Sequence, residues 1–197
     1  TGVQTCALPI YQALSKSIIK MGDPETALIV HVEDRKTVLS VVSKGFVHFT
    51  STVKIGSEDF TAAIMKEYNV SREEAIRMKT EKGEQKDGSQ STLFMSLLNT
   101  ASALKDEIDR IVLYWQSYVE KKSRGDKQPI ERIVLSGRDA LINGFKEYLV
   151  ATVRIPVETA NVWTNIYDLD MRIPDNNYME SLDYAIAIGL AMPKLDR

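Results

Sequence analysis

Few side chains in this 197-residue sequence have the types and spacing that chemistry requires. Its two histidines, His31 and His48, invite a metal site, but they sit in different apolar runs without a third ligand at suitable spacing. Both read as structural. Asp168, Asp170, Asp175 and Asp183 supply carboxylates, yet they lack the central glycine turn and closing bidentate glutamate of a calcium loop. They read as solvated or helix-capping groups. Ser136-Gly137 has no flanking glycine pattern of a nucleophile elbow, and no histidine follows it. The single thiol, Cys6, excludes a disulfide framework and any zinc site built from cysteines. It also lies in the opening decapeptide TGVQTCALPI, which resembles a translated sequencing adapter and is set aside from fold reasoning. Nothing in this inventory supports nucleophilic or metal-assisted catalysis.

The elements that would position any site can be read from periodicity. Residues 11–21 repeat apolar positions at helical spacing until Gly22-Asp23-Pro24 stops them. ALIVHV, TVLSVVS and FVHFTSTVKI then follow as β-rich runs joined by short polar turns, which predicts an antiparallel meander. A helix is expected from about Ser57 to Tyr68, with Phe60, Ile64 and Met65 on one face. Ser71-Arg72-Glu73-Glu74 is a capping box and opens a short helix to Thr80. The polar stretch EKGEQKDGSQ reads as a solvated loop. From Ser91, Leu93, Leu97, Ala101, Leu104, Ile108, Ile111, Trp115 and Val119 step by threes and fours. That spacing predicts one amphipathic helix of about 30 residues, about 45 Å long. Near its end Trp115 joins the apolar stripe, while Tyr114 and Tyr118, four apart, read as a partly exposed ridge.

KKSRGDKQP breaks this helix, and ERIVLSG reads as a buried strand ending at a glycine. DALINGFKEYLVATV is expected as one helix weakened by Gly144, and IPVET as a short edge strand because Pro156 cannot donate to a ladder. A last helix should span about Asn177 to Met192. Strands in a meander combined with crossover helices indicate an α/β layered domain. With 44% apolar and 26% charged residues the chain is globular, and its formal charge of −2 offers no footprint for nucleic acid or an anionic membrane. Without an apolar run of the roughly 18–20 residues that span a bilayer, direct membrane insertion is not expected and a cytoplasmic protein is.

The words of residues 25–192 resemble the C-terminal half of the bacterial actin-like ATPases, nearest to the type IV pilus assembly protein PilM family, with the cell-division protein FtsA as a relative. The likeness is carried by ALIVHVEDRKTVLSVVSKGFVHFTSTVKIGSEDFTAAIM, SREEAIRMK, ERIVLSGRDALINGFKEYLVATVRIPVETANVW and LDYAIAIGLAM, in that order. It implies the second lobe of an actin-like, ribonuclease H-like α/β fold, with residues 11–24 as an inter-lobe helix and linker. The lobe itself would comprise 25–56 and 128–197, with a mainly helical subdomain inserted at 57–127. The first lobe would precede residue 11, making this chain a fragment.

In that family an Asp-x-Gly-x-x-x-Thr turn contacts phosphate; the aspartate holds a metal-bound water, the glycine bares backbone amides and the threonine donates a hydrogen bond. Here the turn reads His31-Val32-Glu33-Asp34-Arg35-Lys36-Thr37, retaining only Thr37. The family's Ala-Glu-x-x-Lys helix, which approaches the ribose and adenine, reads Ala75-Ile76-Arg77-Met78-Lys79, retaining Lys79. Its Ser-Gly-Gly turn reads Ser136-Gly137-Arg138-Asp139, retaining Ser136 and Gly137. Thr37, Lys79, Ser136 and Gly137 are therefore the remnant positions of a nucleotide site, and the resemblance implies ATP and Mg2+ only if that site is retained. The expectation is a pseudo-ATPase: a structural subunit of the pilus inner-membrane platform, peripheral to the membrane through the N-terminal tail of a PilN-like protein, with possible self-association. The rivals are an active actin-like ATPase, whose phosphate turn should be intact, and an FtsA-like division protein, whose membrane-binding helix would lie beyond Pro193.

Overall fold

The computed structural model describes residues 4–80, 89–121, 128–142, 144–166 and 178–192. Helix α1 (Gln4–Ile18) precedes three strands, β1 (Ala27–Val32), β2 (Thr37–Ser43) and β3 (Phe46–Val53). Helices α2 (Ser57–Tyr68), α3 (Arg72–Thr80) and α4 (Ser89–Lys121) follow, then β4 (Arg132–Ser136), α5 (Phe145–Thr152) and β5 (Val157–Thr159). The chain closes with α6 (Tyr178–Ser181), a 3-10 turn and α7 (Ala185–Ala191). Helix α1 runs continuously from Gln4 through the decapeptide set aside above.

The strands form one mixed sheet in the order β3-β2-β1-β4-β5. Neighbours β1, β2 and β3 pair antiparallel, as a meander must, whereas β1–β4 and β4–β5 are parallel and joined by helical crossovers. Position in the sheet explains composition. Strands β1 and β2 lie inside and are buried at every residue, which is why ALIVHV and TVLSVVS are nearly continuous apolar runs. Strand β3 lies at an edge and is only partly buried. At the other edge β5 is three residues long, and Pro156 before it serves as an acceptor, taking the Ile133 amide on its carbonyl.

Alternation along the strands divides the core in two. Leu28, Val30, Leu39, Val41, Ile133 and Leu135 face helices α2, α4 and α5, through Phe60 and Ile64, through Leu97, Leu104, Ile108 and Trp115, and through Phe145 and Leu149. Ala27, Ile29, Val38, Val42 and Val134 face the other way, onto Tyr11, Leu14 and Ile18 of α1 and onto Leu182 and Ala185. The result is an α/β/α sandwich, in which α2 and α4 share one apolar cluster with the sheet.

Two expected helices are rearranged. DALINGFKEYLVATV is not one helix: a 3-10 turn covers Arg138–Leu141, and α5 starts only at Phe145. Gly144 separates them at φ 87°, a left-handed conformation that no continuing helix can hold. The last helix is interrupted by a 3-10 turn at Leu182–Tyr184. The long helix holds as expected, with Leu97, Ala101, Leu104, Ile108, Ile111 and Trp115 buried. Trp115 donates its indole N–H to the Gln128 carbonyl at 3.0 Å and stacks on Tyr118, while Tyr114 is half exposed and packs on Phe49. Most of the expected loop at 81–90 and most of the helix break at 121–129 lie outside the described residues.

Candidate functional site

In an open parallel sheet, ligands bind beyond the carboxyl ends of the strands, where neighbouring connections diverge. Strands β1 and β4 are that pair here: parallel, with His31 opposite Ser136. After His31 the chain turns back into β2, while after Ser136 it turns through Gly137 into the 3-10 turn. Between these two turns lies a cleft of ≈ 470 Å³. Glu33 and Asp34 line it from the β1–β2 turn, Ser57, Glu58 and Thr61 from α2, Arg72, Ile76 and Lys79 from α3, and Gly137 and Asp139 from the far side. His31, Val32, Leu182 and Asp183 complete the described wall.

Local geometry holds the β1–β2 turn and α2 together. The first amides of α2, Ser57 and Glu58, donate to the Glu33 and Asp34 carbonyls at 2.9 and 2.8 Å. A helix N-terminus is ordinarily a ready anion site, but here those donors are already used by the turn. The approach is close enough that a Cβ on Gly56 would stand 2.4 Å from the Lys36 nitrogen.

The four remnant positions divide evenly. Lys79 and Gly137 line the cleft; Thr37 and Ser136 are fully buried and are not among its lining. The Thr37 hydroxyl donates to the Ile55 carbonyl at 2.7 Å. Ser136 Oγ lies 3.1 Å from His31 Nδ1, bridging the ends of the paired strands. Gly137 has φ 90°, and an added Cβ would meet the Val32 carbonyl oxygen at 2.2 Å. Its bare backbone is therefore required by the fold, whatever a ligand would also need.

Lys79 is drawn inward. Its ammonium donates to the Asp139 carboxylate at 2.9 Å, to the hydroxyls of Ser57 and Thr61 at 2.6 and 3.0 Å, and to the Ser57 carbonyl at 3.3 Å. Ile76, where the resemblance implies a sugar-binding glutamate, presents hydrocarbon to the cleft. Arg138 opens the 3-10 turn, and its side chain lies outside those described.

Charge on the cleft wall runs against an anionic ligand. Among the described lining residues, Glu33, Asp34, Glu58, Asp139 and Asp183 stand against Arg72 and Lys79, a formal −3 with His31 neutral. Both cations are engaged, Arg72 by Glu58 and Lys79 by Asp139. Glu33 is partly balanced by Lys36 at 3.3 Å and accepts a long bond from the Tyr11 hydroxyl at 3.4 Å. Burial pulls the Lys36 ammonium down, but Glu33 and Tyr11 outweigh it and hold its pKa above the ordinary value. Burial, reinforced by Glu33, raises the Tyr11 phenol. Burial also lowers the pKa of His31, against the pull of Glu33 and Asp183, so the imidazole stays neutral near pH 7.

Sequence reasoning names Asp139 without giving it a role, and it gives Ser57, Glu58, Thr61 and Arg72 no part in a site. The one available signal was a carboxylate three residues after Ser136, between the apolar runs 133–135 and 140–142. Of the four aspartates weighed against a calcium loop, Asp183 stands at the cleft, while 168, 170 and 175 lie outside the described residues. Among the described residues no group of three or more His, Cys, Asp or Glu could hold a metal ion. His48 packs its ring near Trp115, 6.0 Å between centroids, on a different strand from His31. Among the described residues no helix is long and apolar enough to cross a membrane.

A family model described as type IV pilus assembly protein PilM matches residues 3–195. Among solved structures, the chain is similar to one in a PilM-PilN type IV pilus biogenesis complex, with a TM-score of 0.64 at 18% identity over 94% of this chain and 49% of that one. It is also similar to MreB 5 of Spiroplasma citri bound to AMPPNP, with a TM-score of 0.60 at 16% identity over 93% and 56%. Ethanolamine utilization protein EutJ from Carboxydothermus hydrogenoformans matches with a TM-score of 0.51 at 16% identity over 84% and 50%. No curated protein matches the chain by sequence. At these identities the structures speak for the fold alone, which is that of the actin-like ATPases, and the chain spans about half the length of each. With all but a few residues matched by its family model and this fold beneath them, the chain belongs to the type IV pilus assembly protein PilM family.

Proposed function

We propose that this chain serves pilus assembly as a scaffold that holds partners, with a nucleotide site too weak for turnover. The observation that carries the reading is the internal commitment of the cleft's polar groups. Thr37, Ser136 and Lys79 each bond within the chain, and the amides of Ser57 and Glu58 are taken by the β1–β2 turn. A triphosphate arriving here would meet carboxylates in excess. At roughly 4 Å each like-charge contact costs on the order of 1 kcal/mol in water, and more once water is expelled. ATP and Mg2+ are accordingly not assigned to this cleft, and no catalytic residue is proposed.

The partner class follows from kinship. One similar protein was solved in a PilM-PilN complex, and the corresponding partner of this chain would be the N-terminal tail of a PilN-like inner-membrane protein. Such a tether would place the protein at the cytoplasmic face of the inner membrane without insertion of its own, and would leave its surface open to self-association. Isothermal titration of the full-length protein with Mg-ATP tests the nucleotide half of the reading: no heat at micromolar concentrations is expected, and micromolar affinity overturns it in favour of an active ATPase. Capture of the full-length protein on the first ~20 residues of the PilN-like neighbour tests the tether, and failure of the tail to bind refutes it.

A further inference from the structure

Lys79 stands on the cleft wall, yet each acceptor it uses belongs to the chain. Its side chain is 5% exposed and that of Asp139 4%, so salt screens their 2.9 Å pairing little. Three elements meet at this ammonium: α2 brings Ser57 and Thr61, α3 brings Lys79 itself, and the 3-10 turn after Gly137 brings Asp139. The hydroxyls and the carbonyl satisfy its N–H groups but carry no charge. A buried ammonium also needs an anion to offset its desolvation, and Asp139 supplies that anion from within the chain. Both ends of the pair border the cleft, so the carboxylate sits where a free anion could arrive from solvent.

We propose that Asp139 is a tethered oxyanion filling, in cis, an oxyanion subsite formed by Lys79, Ser57 and Thr61, and that removing its carboxylate opens this subsite to small oxyanions of carboxylate or phosphate type. The proposal deepens the reading of the cleft as unfit for a nucleotide and rests on it, since the cation an anionic ligand would need is already spent. Alanine at position 139 removes one carbon and two oxygens, the same heavy atoms that formate contains. Formate is therefore the matched probe, with inorganic phosphate as the larger one.

The test compares full-length wild type, Asp139→Ala and the double variant Lys79→Met/Asp139→Ala by thermal unfolding. Sodium formate, sodium phosphate and sodium chloride are used at matched ionic strength. Removing one partner of a buried pair should lower the Tm of Asp139→Ala by about 5–15 °C. Formate should return at least half of that loss and chloride should not, while wild type and the double variant respond alike to both salts. Rescue by phosphate in addition extends the subsite to that size. A formate response equal to the chloride response overturns the proposal, as does equal formate rescue of the double variant. If Asp139→Ala is recovered only as aggregate, refolding yields are read instead: several-fold more soluble protein in formate than in chloride supports the subsite, and equal yields refute it. A parallel titration of wild type with Mg-ADP keeps the two readings apart, because binding there ends the unfit-cleft reading without altering the formate result.

Discussion

Replacing Gly137 by alanine separates a glycine kept for the fold from one kept only for a ligand. The new methyl carbon would stand 2.2 Å from the Val32 carbonyl oxygen, well inside any tolerable contact. Val32 ends the strand that pairs with β4, so neither side can withdraw without disturbing the His31–Ser136 register. At φ 90° and ψ 158° Gly137 sits in a backbone region essentially reserved for glycine, which adds about 1–3 kcal/mol for a residue with a Cβ. Reduced freedom of the unfolded chain returns about 0.4–1 kcal/mol, and the steric intrusion costs about 1–3 kcal/mol. The net loss is about 1–5 kcal/mol. Gly22 is the matched control: its φ is 77° and nothing lies within 4 Å of its added Cβ. Gly22→Ala should therefore lose only the conformational part, about 0–1.5 kcal/mol. Urea unfolding followed by circular dichroism reads both variants, with a midpoint shift of about 0.5–2.5 M for Gly137→Ala at an m-value of about 2 kcal/mol/M. Equal midpoints for the two variants, within about 0.5 kcal/mol, would refute the steric account and return Gly137 to a ligand-only role.

Two further outcomes follow from the burial map and the site. Burial holds the folded pKa of His31 below its ordinary 6.5, so the unfolded chain takes up a proton first as pH falls. Stability from this residue is complete above about pH 6.5 and is lost progressively on acidification, by at most about 1.4 kcal/mol per pH unit. His31→Asn should flatten the fall between pH 7 and 5 relative to wild type, measured by urea titration at each pH, and parallel curves would exclude His31 as its source. On α4, Ile108→Ala should cost about 2–5 kcal/mol because Ile108 is fully buried, whereas Leu113→Ala, at a position 63% exposed, should stay within about 0.5 kcal/mol. Similar losses at both positions would mean that the helix faces its sheet differently.

The internal commitments at the cleft also bear on what these residue types can report about a ligand. Thr37 and Ser136 keep the residue types the resemblance associates with phosphate chemistry, yet each now closes a hydrogen bond that knits the sheet to its turns. Gly137 is held by the Val32 carbonyl, and Lys79 by Asp139. Each of these positions has a structural reason to stay as it is, so its presence says little about ligand binding.

What periodicity could determine was the element inventory. The short apolar runs at 27–32, 37–43 and 132–136 carry their burial in their composition and length, and the apolar stripe from Leu97 to Trp115 carries it in its spacing, because a helix repeats every 3.6 residues. The order of those elements, with their local words, was enough to indicate an actin-like α/β fold. Local pattern could not foresee where Gly144 would cut a helix, since that depends on the left-handed turn the chain adopts there. Nor could it show that Asp139 reaches Lys79, sixty positions away in sequence. That pairing exists only because the β1–β4 crossover brings α3 against the turn after β4, and long-range contact of this kind leaves no trace in the spacing of neighbouring residues.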